Sequence, residues 1–338
     1  MKKLLNNLFI TTDGSYLHKE RETLIIKQDG EKVFQIPLHA LHNLFCYGRI
    51  MVSPALLAVC GEKGIGISFF SGYGKFQSRL QGPQSGNVLL RRAQYRHADD
   101  APETVARLFV AAKIANTRQI LMKHQRNHSK TDALEAVVTH LVSSTRSLKK
   151  ENDVDQIRGI EGDAAAHYFS VFNELIVNTQ RDAFQFNGRS KRPPLDNVNA
   201  LLSFAYTLLT HEIASALQGV GLDPYVGFLH TDRPGRLSLA LDMLEEFRAW
   251  WCDRFVLTLI NRKQIKAADF ITEASGAIRK DDARKAFLTA WQERKQETLQ
   301  HPYLEETIQV GLLPHIQATL LAKYLRNDLS VYPPFSIR

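Results

Sequence analysis

The chain has 338 residues, 44% of them hydrophobic and 23% charged, with a formal net charge of +8. That length exceeds one ordinary core and points to two domains, while the composition excludes a disordered or low-complexity chain. Three cysteines (Cys46, Cys60, Cys252) lie far apart without CxxC spacing, which excludes a disulfide framework or zinc cluster and points to a reducing, cytoplasmic setting.

In chain order, the opening run Met1–Phe9 is interrupted by Asn6 and Asn7 and lacks a small-residue cleavage site, so it does not read as a signal peptide. No apolar stretch reads as long enough to span a bilayer, and no membrane role is expected. Residues 1 to about 80 read as strands, with hairpin turns at Asp13-Gly14 and Asp29-Gly30. Thr23–Ile26 and Val33–Ile36 flank the second turn. Ser53-Pro54 opens a short helix, because Ser caps well and Pro suits the first turn. Strands at 65–70 and 75–80 follow.

Gly82–Gly86 reads as a linker, and beyond it the apolar spacing turns helical. Helices are expected at about 87–97, 102–127, 131–148, 154–177, 196–219, 238–261, 281–299 and 304–326. The fold class is therefore α+β: a small β-rich domain over 1–81, a linker over 82–87, and a larger all-α domain over 88–338. The terminal Tyr332-Pro333-Pro334-Phe335 reads as a frayed tail, or as a segment that docks a partner.

Familiar motifs are absent. The glycines at 61–66 and 72–74 lack phosphate-loop spacing, Ser215 stands where a zinc-protease helix starting at His211-Glu212 needs its second His, and no GxSxG elbow occurs. Three helical segments are more informative. Glu161 lies among small and apolar residues, where a buried carboxylate needs a partner or metal, although a solvated Glu fits the local pattern too. His230 ends an apolar run, as a ligand or a structural histidine. Asp242 and Glu245, spaced i, i+3, share one helical face, which serves catalysis or is simply solvated. Together these are three carboxylates and one imidazole, a set suited to Mg²⁺ or Mn²⁺ and to phosphodiester chemistry. Trp250, Trp251 and Phe255 read as core anchors. The positive charge is compatible with a polyanionic partner and equally with an ordinary basic protein.

The segments EGDAAAHYF from Glu161, GRSKRPPLDNVNALLSFAY from Gly188, GFLH ending at His230 and LALDMLEEFR from Leu239, in that order, resemble CRISPR-associated protein 1, the integrase of spacer acquisition. The resemblance covers essentially the whole chain, and the Pro-rich second segment is similar to the type I group, subtype I-C. By this resemblance Glu161, His230 and Glu245 match the metal ligands and Asp242 the acidic residue one turn earlier, so all four are catalytic candidates. Many members carry Asp where Glu245 stands. The resemblance implies metal-dependent DNA cleavage and strand transfer of captured duplex fragments into a CRISPR repeat. It further implies a homodimer formed through the β-rich domain, two of which flank a dimer of CRISPR-associated protein 2. DNA-binding candidates are then Arg189, Lys191 and Arg192 in the basic loop, Arg233 and Arg236 beside His230, and Lys113. Tyr206 is a candidate for stacking on DNA, or a core aromatic. A nuclease for branched DNA and a non-catalytic DNA-binding scaffold are the competing readings.

Overall fold

A computed structural model describes residues 7–41, 43–71, 76–80, 82, 88–128, 130–177, 181–190, 194–270 and 281–337. The expected linker lies outside the described residues except for Gly82. The chain is mixed α+β, β-rich at its amino-terminal end and helical beyond, and it separates into two compact units.

The first unit comprises Met1–Gly86 and Arg279–Thr289. Its strands are β1 (Asn7–Ile10), β2 (Tyr16–Glu20), β3 (Thr23–Gln28), β4 (Glu31–Pro37), β5 (Asn43–Tyr47), β6 (Met51–Val52), β7 (Gly66–Phe70) and β8 (Phe76–Leu80), with α1 (Pro54–Glu62) before β7. They form two four-stranded sheets, in the orders β1-β5-β7-β8 and β4-β3-β2-β6. The Asp29-Gly30 hairpin is as expected: both residues have positive φ, +50° and +84°, which a two-residue primed turn requires. Asp13-Gly14 is not a hairpin. β1 pairs parallel with β5, so β2 leaves for the other sheet, and the Asp13 carboxylate accepts the Arg49 N–H at 2.6 Å. Ser53 caps α1 by accepting the N–H of Leu56 at 3.3 Å. Leu17, Leu24, Leu44, Leu56 and Ile67 fill the core with Cys46 and Cys60, whose thiols burial pushes up to about 12 and about 11.

The second unit comprises Asn87–Ile278 and Ala290–Arg338. Its helices are α2 (Val88–Asp100), α3 (Pro102–Asn127), α4 (Asp132–Leu148), α5 (Val154–Ser170), α6 (Asn197–Gly219), α7 (Ser238–Phe247) and α8 (Arg254–Asn261), the last two joined by a π-helical turn, Arg248–Asp253. Then come α9 (Asp281–Gln296), the hairpin β9 (Thr298–Gln300) and β10 (Thr307–Gln309), and α10 (Leu313–Leu325). Thr131, Asp153 and Asp196 cap α4, α5 and α6 by accepting the N–H three residues on.

Three expected helices are shorter. The one expected over 154–177 stops at Ser170, where Tyr168, Phe169, Phe172 and Phe186 pack their rings around a 3-10 turn. The one expected over 304–326 starts only at Leu313, because Thr307–Gln309 pairs as a strand and Pro314 sets the first helical turn. The one expected over 281–299 ends at Gln296, its last two residues pairing in the same hairpin, and its first half counts with the β-rich unit, where Arg284 lies over the Tyr47 ring.

Contrary to the expectation from hydropathy, α6 is long and apolar enough to cross a membrane, yet 83% of its most apolar window is buried within the chain. Its apolarity belongs to a core helix. The terminal segment is not frayed: Tyr332 and Phe335 are 0% and 1% exposed.

Candidate active site

α7 is buried almost all round, and it carries three acidic side chains inward, Asp242, Glu245 and Glu246. A buried carboxylate is tolerable only with partners, so each anchors a different part of the unit.

Glu245 holds the centre. Its carboxylate meets the Lys113 ammonium, from α3, at 2.7 Å and the Arg248 guanidinium at 2.8 Å. Lys113 also ion-pairs with Glu161, from α5, so one ammonium bridges the two carboxylates. Burial alone would raise the Glu245 pKa, but Arg248, Lys113 and His230 outweigh it and pull it down to about 2. Its two cationic partners thus favour the ionised carboxylate. Glu161 is the more open of the two, its side chain 23% exposed against 2% for Glu245.

Asp242 organises the loop that presents His230. Its Oδ2 accepts the N–H groups of Phe228 and Leu229 at 2.6 and 2.9 Å, and its Oδ1 accepts the N–H and Nδ1 of His230 at 2.9 and 2.6 Å. Four donors saturate the carboxylate, which makes Asp242 a positioning residue with no lone pair left for a cation. Because Nδ1 is committed, His230 presents Nε2, the arrangement by which a second carboxylate orients a metal-binding imidazole. The loop lies so close to α7 that a Cβ on Gly227 would stand 2.7 Å from Asp242 Oδ2 and 3.0 Å from the Ser238 carbonyl carbon. Arg158 fastens the same loop from α5, donating to Thr231 Oγ1 at 2.7 Å and to the Leu229 carbonyl at 3.3 Å.

Behind Glu245 a second layer holds Arg248. Its guanidinium lies 4.9 Å from the centre of the Tyr206 ring, and Tyr206 donates to Asp253 Oδ1 at 2.5 Å. Burial raises the Asp253 pKa to about 6 against the opposing pull of Tyr206 and Arg248. Glu246 faces away: it accepts from Tyr332, from Gln317 at 2.9 Å and from the Phe335 N–H at 2.6 Å, and so ties down the carboxy-terminal segment. Burial pushes its pKa up to about 8.

The structure thus draws Glu161 and Glu245 together on Lys113 and places Asp242 against His230. His230 also lies near enough to Glu245 to be among the groups that favour its ionised form. Two ionic carboxylates and one oriented imidazole fit a hard divalent cation, and the bridging ammonium marks where positive charge is required. With Lys113 between them, the donor atoms of Glu161, Glu245 and His230 are not drawn into one cluster. Among the described residues, the one His/Cys/Asp/Glu trio whose donor atoms all lie within 4.8 Å of one another is His140, Asp163 and His167.

The DNA-binding candidates separate. Lys113 is 6% exposed and belongs to the carboxylate cluster, not to an outer basic face. Tyr206 is 8% exposed and is a core aromatic, not a free stacking surface. Arg189 is half-buried, bonded to Asn199 Oδ1 at 2.6 Å and Ser203 Oγ at 3.2 Å, and holds its loop in place. Arg233 is exposed and Arg236 half-buried, while Lys191 and Arg192 lie outside the described residues. Sequence reasoning missed Arg248 and Arg158. Each stands three residues from a candidate acid on the same helix, Arg248 after Glu245 and Arg158 before Glu161, which was the available signal.

The sequence model of a family described as CRISPR associated protein Cas1 matches residues 8–293. A protein of Chlorobaculum tepidum described as CRISPR-associated endonuclease Cas1 1 is 54% identical over 341 residues, covering 99% of this chain and 99% of that protein. Two solved structures share the fold, each with a TM-score of 0.83. A casposase bound to integration product is 21% identical, covering 98% of this chain and 95% of that one. A chain of a Cas6-RT-Cas1–Cas2 complex is 22% identical, covering 100% of this chain and 36% of that one.

Proposed function

The chain belongs to the CRISPR associated protein Cas1 family, and from that membership we propose that it is a metal-dependent DNA endonuclease and integrase of CRISPR adaptation. It inserts captured duplex fragments into the CRISPR repeat by strand transfer. A fragment 3′-hydroxyl attacks a repeat phosphodiester: a new P–O bond forms, and the bond to the repeat's own 3′-oxygen breaks. The observation that carries this reading is the convergence of Glu161 and Glu245 on one buried ammonium, beside an imidazole held by a saturated carboxylate. The fold shared with a casposase bound to integration product supports it.

Glu161, His230 and Glu245 are the residues that would hold Mg²⁺ or Mn²⁺, which when bound supplies Lewis acidity at the scissile phosphate. Asp242 keeps the proton on His230 Nδ1 and so leaves Nε2 as the ligand atom. Arg248 and Lys113 keep Glu245 ionised. Exposed Arg233, with Arg236 and the basic loop of Arg189, Lys191 and Arg192, forms the phosphate-contacting path, with Arg189 serving as the anchor of that loop. The Pro193-Pro194 pair of the same loop supports a type I, subtype I-C assignment.

The β-rich domain is the dimerisation domain, and its exposed Tyr16, Val33, Phe34 and Met51 supply an apolar surface for it. Two dimers flank a dimer of CRISPR-associated protein 2, an assembly supported by the likeness to a chain of a Cas1–Cas2 complex. The test is a strand-transfer assay with short duplex DNA and a repeat-containing plasmid, with and without that partner protein. Joined product is expected with Mg²⁺ or Mn²⁺, and Glu161→Ala and His230→Ala should each abolish it. Cutting without joining would instead identify a general nuclease, and activity surviving both substitutions would identify a scaffold.

A further inference from the structure

We propose that the chain carries a second metal site, specific for a zinc-class divalent ion, formed by His140 of α4 with Asp163 and His167 of α5. It is separate from the Glu161 cluster and does not depend on the function proposed above. The donor atoms of these three side chains all lie within 4.8 Å of one another. His140 Nε2 is 2.6 Å from one oxygen of Asp163, and His167 Nδ1 is 3.4 Å from the other and 2.9 Å from the Asp163 main-chain carbonyl, so this ring would turn to offer a nitrogen to an ion. The two imidazole rings stack at 3.6 Å between centroids with an interplanar angle of 19°.

The placement follows from helix geometry. Asp163 and His167 are spaced i, i+4 and therefore share one face of α5. Glu161, two residues before Asp163, lies about 200° round the same helix and meets Lys113 of α3 instead. One face of α5 thus serves the acidic cluster, and the other serves a site shared with α4. The three side chains remain 34%, 50% and 42% exposed, so an ion can reach them and keep water in its open positions.

The chemistry differs from that of the Glu161 cluster. Two imidazoles and one carboxylate favour Zn²⁺, Co²⁺ or Ni²⁺, whereas two carboxylates and one imidazole suit Mg²⁺ or Mn²⁺. Ligands about 2.1 Å from a tetrahedral ion lie about 3.4 Å apart, so small side-chain rotations close the site. The bound ion then clamps α4 to α5, the helix that presents Glu161.

The experiment uses the full chain carrying Glu161→Gln and His230→Gln, so that the first cluster no longer competes. Equilibrium dialysis against micromolar Zn²⁺, with elemental analysis, should give one equivalent per chain, and Co²⁺ should give visible d–d absorption. A roughly hundredfold excess of Mg²⁺ should leave Zn²⁺ bound. His140→Gln and, separately, Asp163→Asn should each remove both the equivalent and the absorption, with an unchanged circular dichroism spectrum. Both substitutions sit at part-exposed positions, so the fold should survive them. Failure of the parent to bind zinc, or zinc retained in both variants, overturns the assignment.

Discussion

A single saturated carboxylate explains why His230 is presented at all. Asp242 accepts three backbone N–H groups and the His230 ring, so its contribution is geometric. In Asp242→Asn, an NH₂ group replaces one oxygen and faces donors on the Gly227–His230 loop, which it cannot satisfy. Loss of such an orienting partner costs roughly 10–100-fold in metal affinity or activity. That loss should appear in a Mn²⁺ titration of the purified variant by calorimetry, with the helical fold retained. Unchanged affinity would remove the positioning role. Gly227 serves the same contact, since any side chain there meets Asp242 and the backbone at Ser238.

At the scale of elements, the π-helical turn Arg248–Asp253 interrupts what the apolar pattern presents as one continuous helix. Such turns recur at functional sites because the added residue re-aims the side chains that follow. Here the turn starts with Arg248 on Glu245 and ends with Asp253 under Tyr206. Asp253 makes the packing pH-dependent. Burial raises its folded pKa to about 6 from an ordinary 3.8, so between about pH 4 and 6 the folded state binds the proton that the unfolded state has released. Folding stability must then fall as pH rises through that window and level off above it. Asp253→Asn removes the titration, so the difference in unfolding free energy between variant and parent should grow in favour of the variant from pH 4 to 6. A pH-independent difference in denaturant titrations would contradict the assignment.

Across the whole molecule, the β-rich unit exposes more apolar surface than its own core needs. Val33 and Phe34 on β4 are 51% and 42% exposed, and Tyr16 pairs in register with Met51, itself 59% exposed. Phe34 pairs with Ile26 and Ile26 with Leu17, so Phe34 lies on one face of the sheet and the Tyr16–Met51 pair on the other, and each offers apolar surface to a partner. A dimer formed through the exposed Phe34 predicts that Phe34→Glu yields a folded monomer by sedimentation or light scattering, because that side chain is outside the monomer core. A dimer that persists would move the interface elsewhere.

Much of this organisation was legible in the sequence. Alternation and the Asp29-Gly30 turn specify the β3–β4 hairpin, Ser53-Pro54 specifies the start of α1, and the apolar spacing specifies most helices, because caps, turns and amphipathic faces are local chemistry. The ordered motifs also specify the family. Local patterns could not say which lysine meets which carboxylate. In sequence Lys113 is a candidate for DNA contact and Tyr206 for stacking or for the core, and both are core partners, the first because two acids from other helices converge on it and the second because Asp253 accepts its hydroxyl hydrogen bond. Pairing across 48 residues in one case and 47 in the other is decided by how α3, α5, α6 and α7 pack. The sequence by itself therefore determined most of the elements and the family, and it singled out the acids and histidine proposed for the site. Only the tertiary structure decided that Asp242 holds the loop and ring of His230, and that Lys113 supplies the countercharge to Glu161 and Glu245, because buried charges take their partners from packing.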